Sequence, residues 1–552
     1  MVDRPTPRND WTRRGFLAGA GTALAGVGLA SGIVPASAAD ESVETAGLSA
    51  RGEDLLQRRA EAGDFHLRRP EPTLATNGDE DRYRAGIASF TKTLPHNERG
   101  EVDDSAFEAM RLALLSGSKD DFDAIPEGLG AKLANPRAAH CYSMSGGDAH
   151  LIDMPAVHSM SSARQAAEAA EVYWMAACRD VDFSDFDDHT MTNQAMTDLN
   201  RYSDFTAPRI GESITSASLF RGQAAGNAVG PYVSQFLLAD IGYGNRTNVQ
   251  TALTPRPYED FMVDYESWLH VQNGGSAPGT IRLLGPERYI RTPRELGEYV
   301  HRDYSYQAYL NAALICSGFG PEALDTNPYT DARREGAFLT FGGADHLDLV
   351  ARAGAVGLRP AWFHKWLVHR KIRPEAFGAR VQNQILGTAT YDLHEEFLNS
   401  PVLDHMFKSN GTYLLPQAYP EGGPTHPSYP AGHATIAGAC VTVLKAIFDE
   451  DFVIPRPVVA SDDGSWLDRH VGEPLTLGGE LDKLASNIAL GRNFAGVHWR
   501  ADGDDGLVVG EEAAISLLQD QLRGVIEDDG AYALTRFDGS KVLVTADALT
   551  LV

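Results

Sequence analysis

Lysine is scarce in this sequence: nine lysines among 48 basic residues leave 39 arginines in a chain of 552. Basic residues as a whole are outnumbered by 75 acidic ones, for a formal net charge of -27. A phosphate backbone is repelled by such a surface unless a basic stripe offsets it, and none is visible, which excludes nucleic acid as a partner. Cysteine is rarer still. Cys141, Cys178, Cys316 and Cys440 lie far apart with no CxxC spacing, which excludes a zinc knuckle and a dense disulfide framework. They are expected as small buried hydrophobes, with one pair able to bridge if the protein is exported. Past the first 38 residues there is no long apolar run, so no stable membrane insertion is expected. Strand signals are few and short.

What the sequence does have is helical spacing. Apolar residues recur at three and four positions over 104–116, 161–180, 305–317, 361–372, 433–449, 479–491 and 507–526. Gly/Pro/Asn-rich connections separate them at 242–258, 272–283, 318–332 and 410–432. The fold class expected is all-α, or mostly α, with long loops. Residues 40 to about 80 are polar without clean periodicity and read as a wrapping arm or linker. The acidic runs Asp120-Asp121-Phe122-Asp123 and Asp182 to Asp188 read as a solvated, salt-tolerant surface, since they lack the Gly and spaced Glu of a hard-cation loop. They suggest a high-salt habitat.

At the N-terminus, Thr12-Arg13-Arg14-Gly15-Phe16-Leu17 precedes a Gly/Ala-rich uncharged run closed by Ala36-Ser37-Ala38. This matches a twin-arginine export signal over 1–38, so an extracellular or cell-envelope location is expected for a mature protein starting near Ala39.

Three segments carry chemistry. In the first, His364-Lys365-Trp366-Leu367-Val368-His369-Arg370-Lys371-Ile372-Arg373-Pro374, positive charge gathers in a lysine-poor chain. Lys365 and Arg373 are expected near one helical face, with Pro374 ending that helix. In the second, Pro430-Ala431-Gly432-His433 opens an apolar helix whose N-terminus would present free N–H donors to an anion, with His433 beside it as a proton carrier. In the third, Arg492 and His498 converge only if the helix ends between them, which Gly496 allows. Asp502 is then placed to hold the second ring nitrogen of His498.

In this order the segments resemble the signature KxxxxxxxRP, PSGH, RxxxxxHxxxD of the vanadium haloperoxidases and their phosphatase relatives, and the resemblance is strong over about 360–525. It implies two helix bundles, an arm and supporting bundle over 39–250 and a site-bearing bundle over 251–552. It implies vanadate as cofactor, with hydrogen peroxide, halide and a small organic acceptor as reactants, and allows a homo-oligomer. In the roles it implies, Lys365, Arg373 and Arg492 neutralise the oxyanion, Gly432 donates its N–H, His433 is the acid/base, His498 binds the metal and Asp502 orients His498. Trp362 resembles the chloroperoxidase side of the family and His426 the bromoperoxidase side, so the halide stays open between bromide and chloride. Two alternatives remain: a phosphatase with His498 as nucleophile, and an oxyanion-binding protein without activity. The latter arises because Ala431 stands where the family has Ser; Ser428 lies three residues too early for that role.

Overall fold

Short periodic segments become helices here because their ends are capped and their apolar faces meet one another. The computed structural model describes residues 42–84, 86–527 and 530–552, so the expected export signal lies outside the described residues. The helices used below are α1 (Ser42–Leu67), α2 (Asp104–Ser116), α3 (Ala163–Ala177), α4 (Pro293–Arg302), α5 (Gln307–Gly318), α6 (Gly343–Phe363), α7 (Pro374–Ile385), α8 (Gly432–Ile447), α9 (Leu477–Phe494) and α10 (Arg500–Gly524). Asp103 caps α2 by accepting from Ala106 N, Ser162 caps α3 through Gln165 N, and Thr476 caps α9 through Gly479 N. The strands are short and antiparallel, in sheets of two or three, such as Tyr532–Thr535 with Lys541–Val544 and Leu549–Leu551. The protein is mostly α, as expected.

The chain divides after Arg59 into two units, of which Ala60–Val552 is the second. In the second, the largest core cluster runs from Ala88 to Val544 and includes Ile241 and Tyr289, so it is continuous across residue 250. At its centre α8 packs on α6, α9 and α10. Small residues make that packing close: a Cβ on Gly438 would lie 2.0 Å from the Leu507 carbonyl oxygen, and one on Gly510 2.1 Å from that of Thr435. Alanine at either glycine would therefore push α8 from α10 and move the start of α8, where Gly432 and His433 sit.

Several expectations are corrected. The polar arm contains a helix, α1, whose side chains from Ala50 to Glu61 are all exposed; its low apolar content hid it. All four cysteines are free, three buried and Cys141 exposed, so no pair bridges. The helix read over 361–372 is the end of α6, which continues as a π-helical turn over His364–His369 and stops at Arg370, where φ is 44°. Pro374 begins α7 at its first position, where a missing N–H costs nothing. Lys365 and Arg373 thus come from different elements and share no helical face. The helices Thr190–Leu199, Tyr265–Gln272, α4 and Pro401–Asn410 were not anticipated.

Candidate active site

The π-helical turn after α6 turns Lys365 into the interior. Its Nζ donates to the carbonyls of Pro427 (2.6 Å) and Ser428 (2.8 Å), which leaves one ammonium donor unused. Arg373, at the N-cap of α7, donates from Nε to His426 O (2.9 Å) and from Nη1 to Val497 O (2.7 Å). Arg492, in the last turn of α9, donates from Nη1 to Val300 O (3.0 Å), its guanidinium lies 5.1 Å from the Tyr419 ring centre, and its Nε has no partner. All three are buried.

Among the described residues, none of these three cations has a carboxylate within 4.0 Å. Of the eleven buried arginines and lysines among the described residues, seven are paired with an acid: Lys92, Arg179, Arg294, Lys371, Lys445, Lys483 and Arg500. The remaining four are Lys365, Arg373, Arg492 and Arg380. The first three act on one another: burial holds the Lys365 pKa well below its usual value, with Arg373 and Arg492 adding to the effect. Arg373 is pushed down to about 9, first by burial, with Arg492 contributing. An uncompensated triple cation in the interior is costly, and a multiply charged anion relieves it.

His498 completes the cluster. Because α9 stops at Phe494 and Gly496 takes φ +86°, the chain turns before α10 starts at Arg500, and His498 comes back toward Arg492. Its Nδ1 is 2.8 Å from Asp502 Oδ2, and its Nε2 is 3.2 Å from Arg373 Nη1. A guanidinium only donates, so Nε2 bears the lone pair and Nδ1 the proton. Burial, then Arg373, Lys365 and Arg492, hold His498 well below its usual pKa and therefore neutral. Asp502 Oδ2 also accepts from Trp499 N (3.0 Å), so the carboxylate that fixes the tautomer is itself fixed.

Ala431 is the N-cap of α8 and offers no side-chain cap, so the first N–H groups of the helix, beginning with Gly432, lack a capping side chain. A Cβ at Gly432 would lie 3.2 Å from Leu358 Cδ1 and 3.4 Å from Trp362 Cζ3. His433 follows, with Nε2 3.1 Å from Asp303 Oδ1. With Arg492, His433 lines a cavity of ≈ 460 Å³ that also touches Lys92, His301 and Glu421. Trp362 and His426 meet with ring centres 4.9 Å apart, and His426 Nδ1 lies 3.0 Å from Arg373 Nη2. All nine residues singled out from the sequence therefore lie in one connected neighbourhood. Sequence reasoning missed Asp303, which precedes His433 by 130 positions and carries no local signal, and the Tyr419 ring beside Arg492.

Residues 409–524 match the family model of the VCPO second helical-bundle domain. The vanadium-dependent bromoperoxidase of Ascophyllum nodosum is 35% identical over 85% of this chain and 88% of its own length. That of Corallina pilulifera is 31% identical over 90% of this chain and 99% of its own. The chain belongs to the vanadium-dependent haloperoxidase family. Its structure is similar to the homohexameric structure of a second vanadate-dependent bromoperoxidase from Ascophyllum nodosum, with a TM-score of 0.87 and 30% identity over 97% of this chain and 96% of that one. As a haloperoxidase, the chain is an enzyme with a mostly helical fold.

The cradle fits the oxyanion that the family implies. It supplies three cations without acids, an unused Arg492 Nε–H, an uncapped helix terminus and a neutral imidazole whose Nε2 lone pair is turned toward Arg373. Among the described residues no cluster of three or more His, Cys, Asp or Glu forms a cage for a bare metal cation. No described helix is long and apolar enough to cross a membrane.

Proposed function

We propose that this enzyme holds vanadate and uses hydrogen peroxide to oxidise bromide, releasing a hypohalous-type species to a small organic acceptor. The observation that carries the proposal is that Lys365, Arg373 and Arg492, all without carboxylate partners, together act on His498, whose Nε2 lone pair meets Arg373 Nη1. The relatives named above support bromide as the halide. Chloride stays within the proposal, because Trp362 packs against His426, which in turn meets Arg373.

In this reading Lys365, Arg373, Arg492 and the Gly432 N–H neutralise the oxyanion's oxygens by charge-assisted hydrogen bonds. His498 Nε2 is the protein ligand to vanadium, with Asp502 holding Nδ1–H. His433 gives and takes protons at the cavity wall, its Nε2 held by Asp303. When bound, vanadate supplies the Lewis-acidic centre that activates peroxide toward halide.

The test is halogenation of a phenolic acceptor by purified protein with peroxide, bromide or chloride, with and without added vanadate. Vanadate-dependent bromination is expected. Hydrolysis of p-nitrophenyl phosphate blocked by vanadate, without bromination, would instead assign a phosphatase, and neither activity an oxyanion-binding protein.

Three further expectations belong to this proposal. Twin-arginine export is supported by Arg13-Arg14 and the Ala36-Ser37-Ala38 cleavage motif, and Arg13→Lys with Arg14→Lys should retain the precursor in the cytoplasm. A homo-oligomer is supported by the homohexameric neighbour. The assignment of 251–552 as the site-bearing part is supported by the position of every cradle residue after residue 251.

A further inference from the structure

Glu421 lines the same cavity as Arg492 and His433, and its side chain is 49% exposed. A carboxylate in a cavity that ends at an unpaired guanidinium is an internal competitor for any oxyanion, because it pairs without losing translational freedom. In this structure Glu421 is held elsewhere. Its Oε1 lies 2.7 Å from His301 Nε2, while His301 Nδ1 lies 3.3 Å from Glu298 Oε2. Two carboxylates facing the two ring nitrogens are both satisfied only by an imidazolium. Burial alone would lower the His301 pKa, but the hydrogen bonds to Glu298 and Glu421 outweigh it and raise the value.

The clamp is built in from all sides. The His301 ring stacks on Tyr419, with centres 3.9 Å apart and 10° between planes. The Tyr419 hydroxyl donates to Gly297 O (2.5 Å) and lies 3.3 Å from Arg492 Nη1. Arg302 pairs with Glu298. Lys92 gives its charge to Glu375 (2.7 Å) and pins the loop backbone by donating to Glu421 O and Gly423 O, both at 2.7 Å. The main chain of Glu421 is thus fixed by Lys92 and its carboxylate by His301.

We propose that His301 is a positioning residue that clamps Glu421 and so keeps Arg492 open to the oxyanion. The proposal rests on reading the cradle as a vanadate site. Without the imidazolium, Glu421 is free to turn into the cavity and pair with Arg492.

The experiment measures binding of orthovanadate, and of inorganic phosphate as a second probe, to the full-length apoprotein by equilibrium dialysis. The variants are His301→Gln, Glu421→Gln and the two combined. His301→Gln is expected to weaken both anions about tenfold, while Glu421→Gln binds at least as tightly as wild type. The double variant should return to within about twofold of Glu421→Gln, since the competitor is gone. It carries the same glutamine at 301, so its recovery rules out misfolding as the cause of the first loss. Binding by His301→Gln equal to wild type overturns the clamp, and so does a double variant as weak as His301→Gln, which would assign His301 to packing on Tyr419. Wild type that takes up neither anion overturns the cradle reading itself and the clamp with it.

Discussion

Asp303 Oδ1 lies 3.1 Å from His433 Nε2, which joins the turn after α4 to the start of α8 across 130 positions of sequence. The carboxylate accepts from Nε2–H and so leaves Nδ1 with the lone pair, the nitrogen that would exchange protons in the acid/base role proposed for His433. Because Asp303 touches none of the three cations, its loss acts on proton transfer and not on charge neutralisation. Asp303→Asn is therefore expected to lower kcat for bromination by about tenfold to a hundredfold with vanadate affinity changed by less than about threefold. Steady-state kinetics at saturating vanadate, beside a vanadate titration, decide it; a loss confined to vanadate affinity would remove His433 from the acid/base role.

His498 is distinguished from the cations by what it offers, a neutral lone pair in place of a charge. Phosphate and vanadate are both held by charge, but only the metal takes an additional nitrogen ligand. His498→Ala should abolish vanadate-dependent bromination and weaken vanadate binding by about a hundredfold, while phosphate binding changes much less. Parallel titrations of the two anions measure the difference, and retained bromination would refute His498 as the ligand.

Buried histidines give the fold an acid limit. His369 is buried with neither ring nitrogen hydrogen-bonded, and burial, followed by the charges of His364, Arg370 and Lys371, lowers its pKa to about 3 from 6.5. A depressed histidine pKa stabilises the fold fully above the unfolded value, and that stability is lost as pH falls toward the folded one. Between pH 7 and pH 5 the unfolded state takes up a proton that the folded state refuses, at a cost of about 2 kcal/mol for this one residue. His369→Phe should accordingly lose about 2 kcal/mol less than wild type over that range in denaturant unfolding of the apoprotein. Equal losses would mean that His369 is protonated in the fold.

The parts of the fold that were legible in the sequence are those with strong local chemistry. The α2 helix was placed residue for residue from its apolar spacing, to which the structure adds an Asp103 cap at the start, and α8 to within two residues because a Gly at its mouth precedes an unbroken apolar run. The α4 helix was overlooked although Thr292-Pro293-Arg294-Glu295 forms a capping box, because its apolar residues are few. The stretch from Lys365 to Arg373 misled for a different reason: eight residues fit a helical face, but a π-turn and a left-handed Arg370 intervene, and Pro374 starts a helix instead of ending one. The cradle residues were recoverable because spacing within three segments carries them. Asp303, His301 and Tyr419 meet the site only through tertiary packing, which no local pattern encodes.

Ala431 stands where the resembled signature has Ser, and a serine at this position would have two separable roles. It is the N-cap of α8, with φ −70° and ψ 124°, a conformation in which a serine side chain accepts from the N–H of the second or third helical residue. Its own N–H is already spent on Asp502 O at 2.8 Å, so the backbone will not shift to make room. A serine hydroxyl that accepts from the helix still has its proton to donate to an oxyanion. Ala431→Ser should therefore raise apoprotein stability by about 1 kcal/mol through the cap alone. It should also tighten vanadate binding by about tenfold or more through one charge-assisted hydrogen bond. Bromination at limiting vanadate should rise in step. Denaturant unfolding without vanadate reads the first effect, and vanadate titration at matched ionic strength, so that screening is equal, reads the second. A gain in stability with unchanged vanadate affinity would show that the residue 431 side chain caps the helix without facing the anion, and that the anion at this point is held by the Gly432 N–H and the three cations alone.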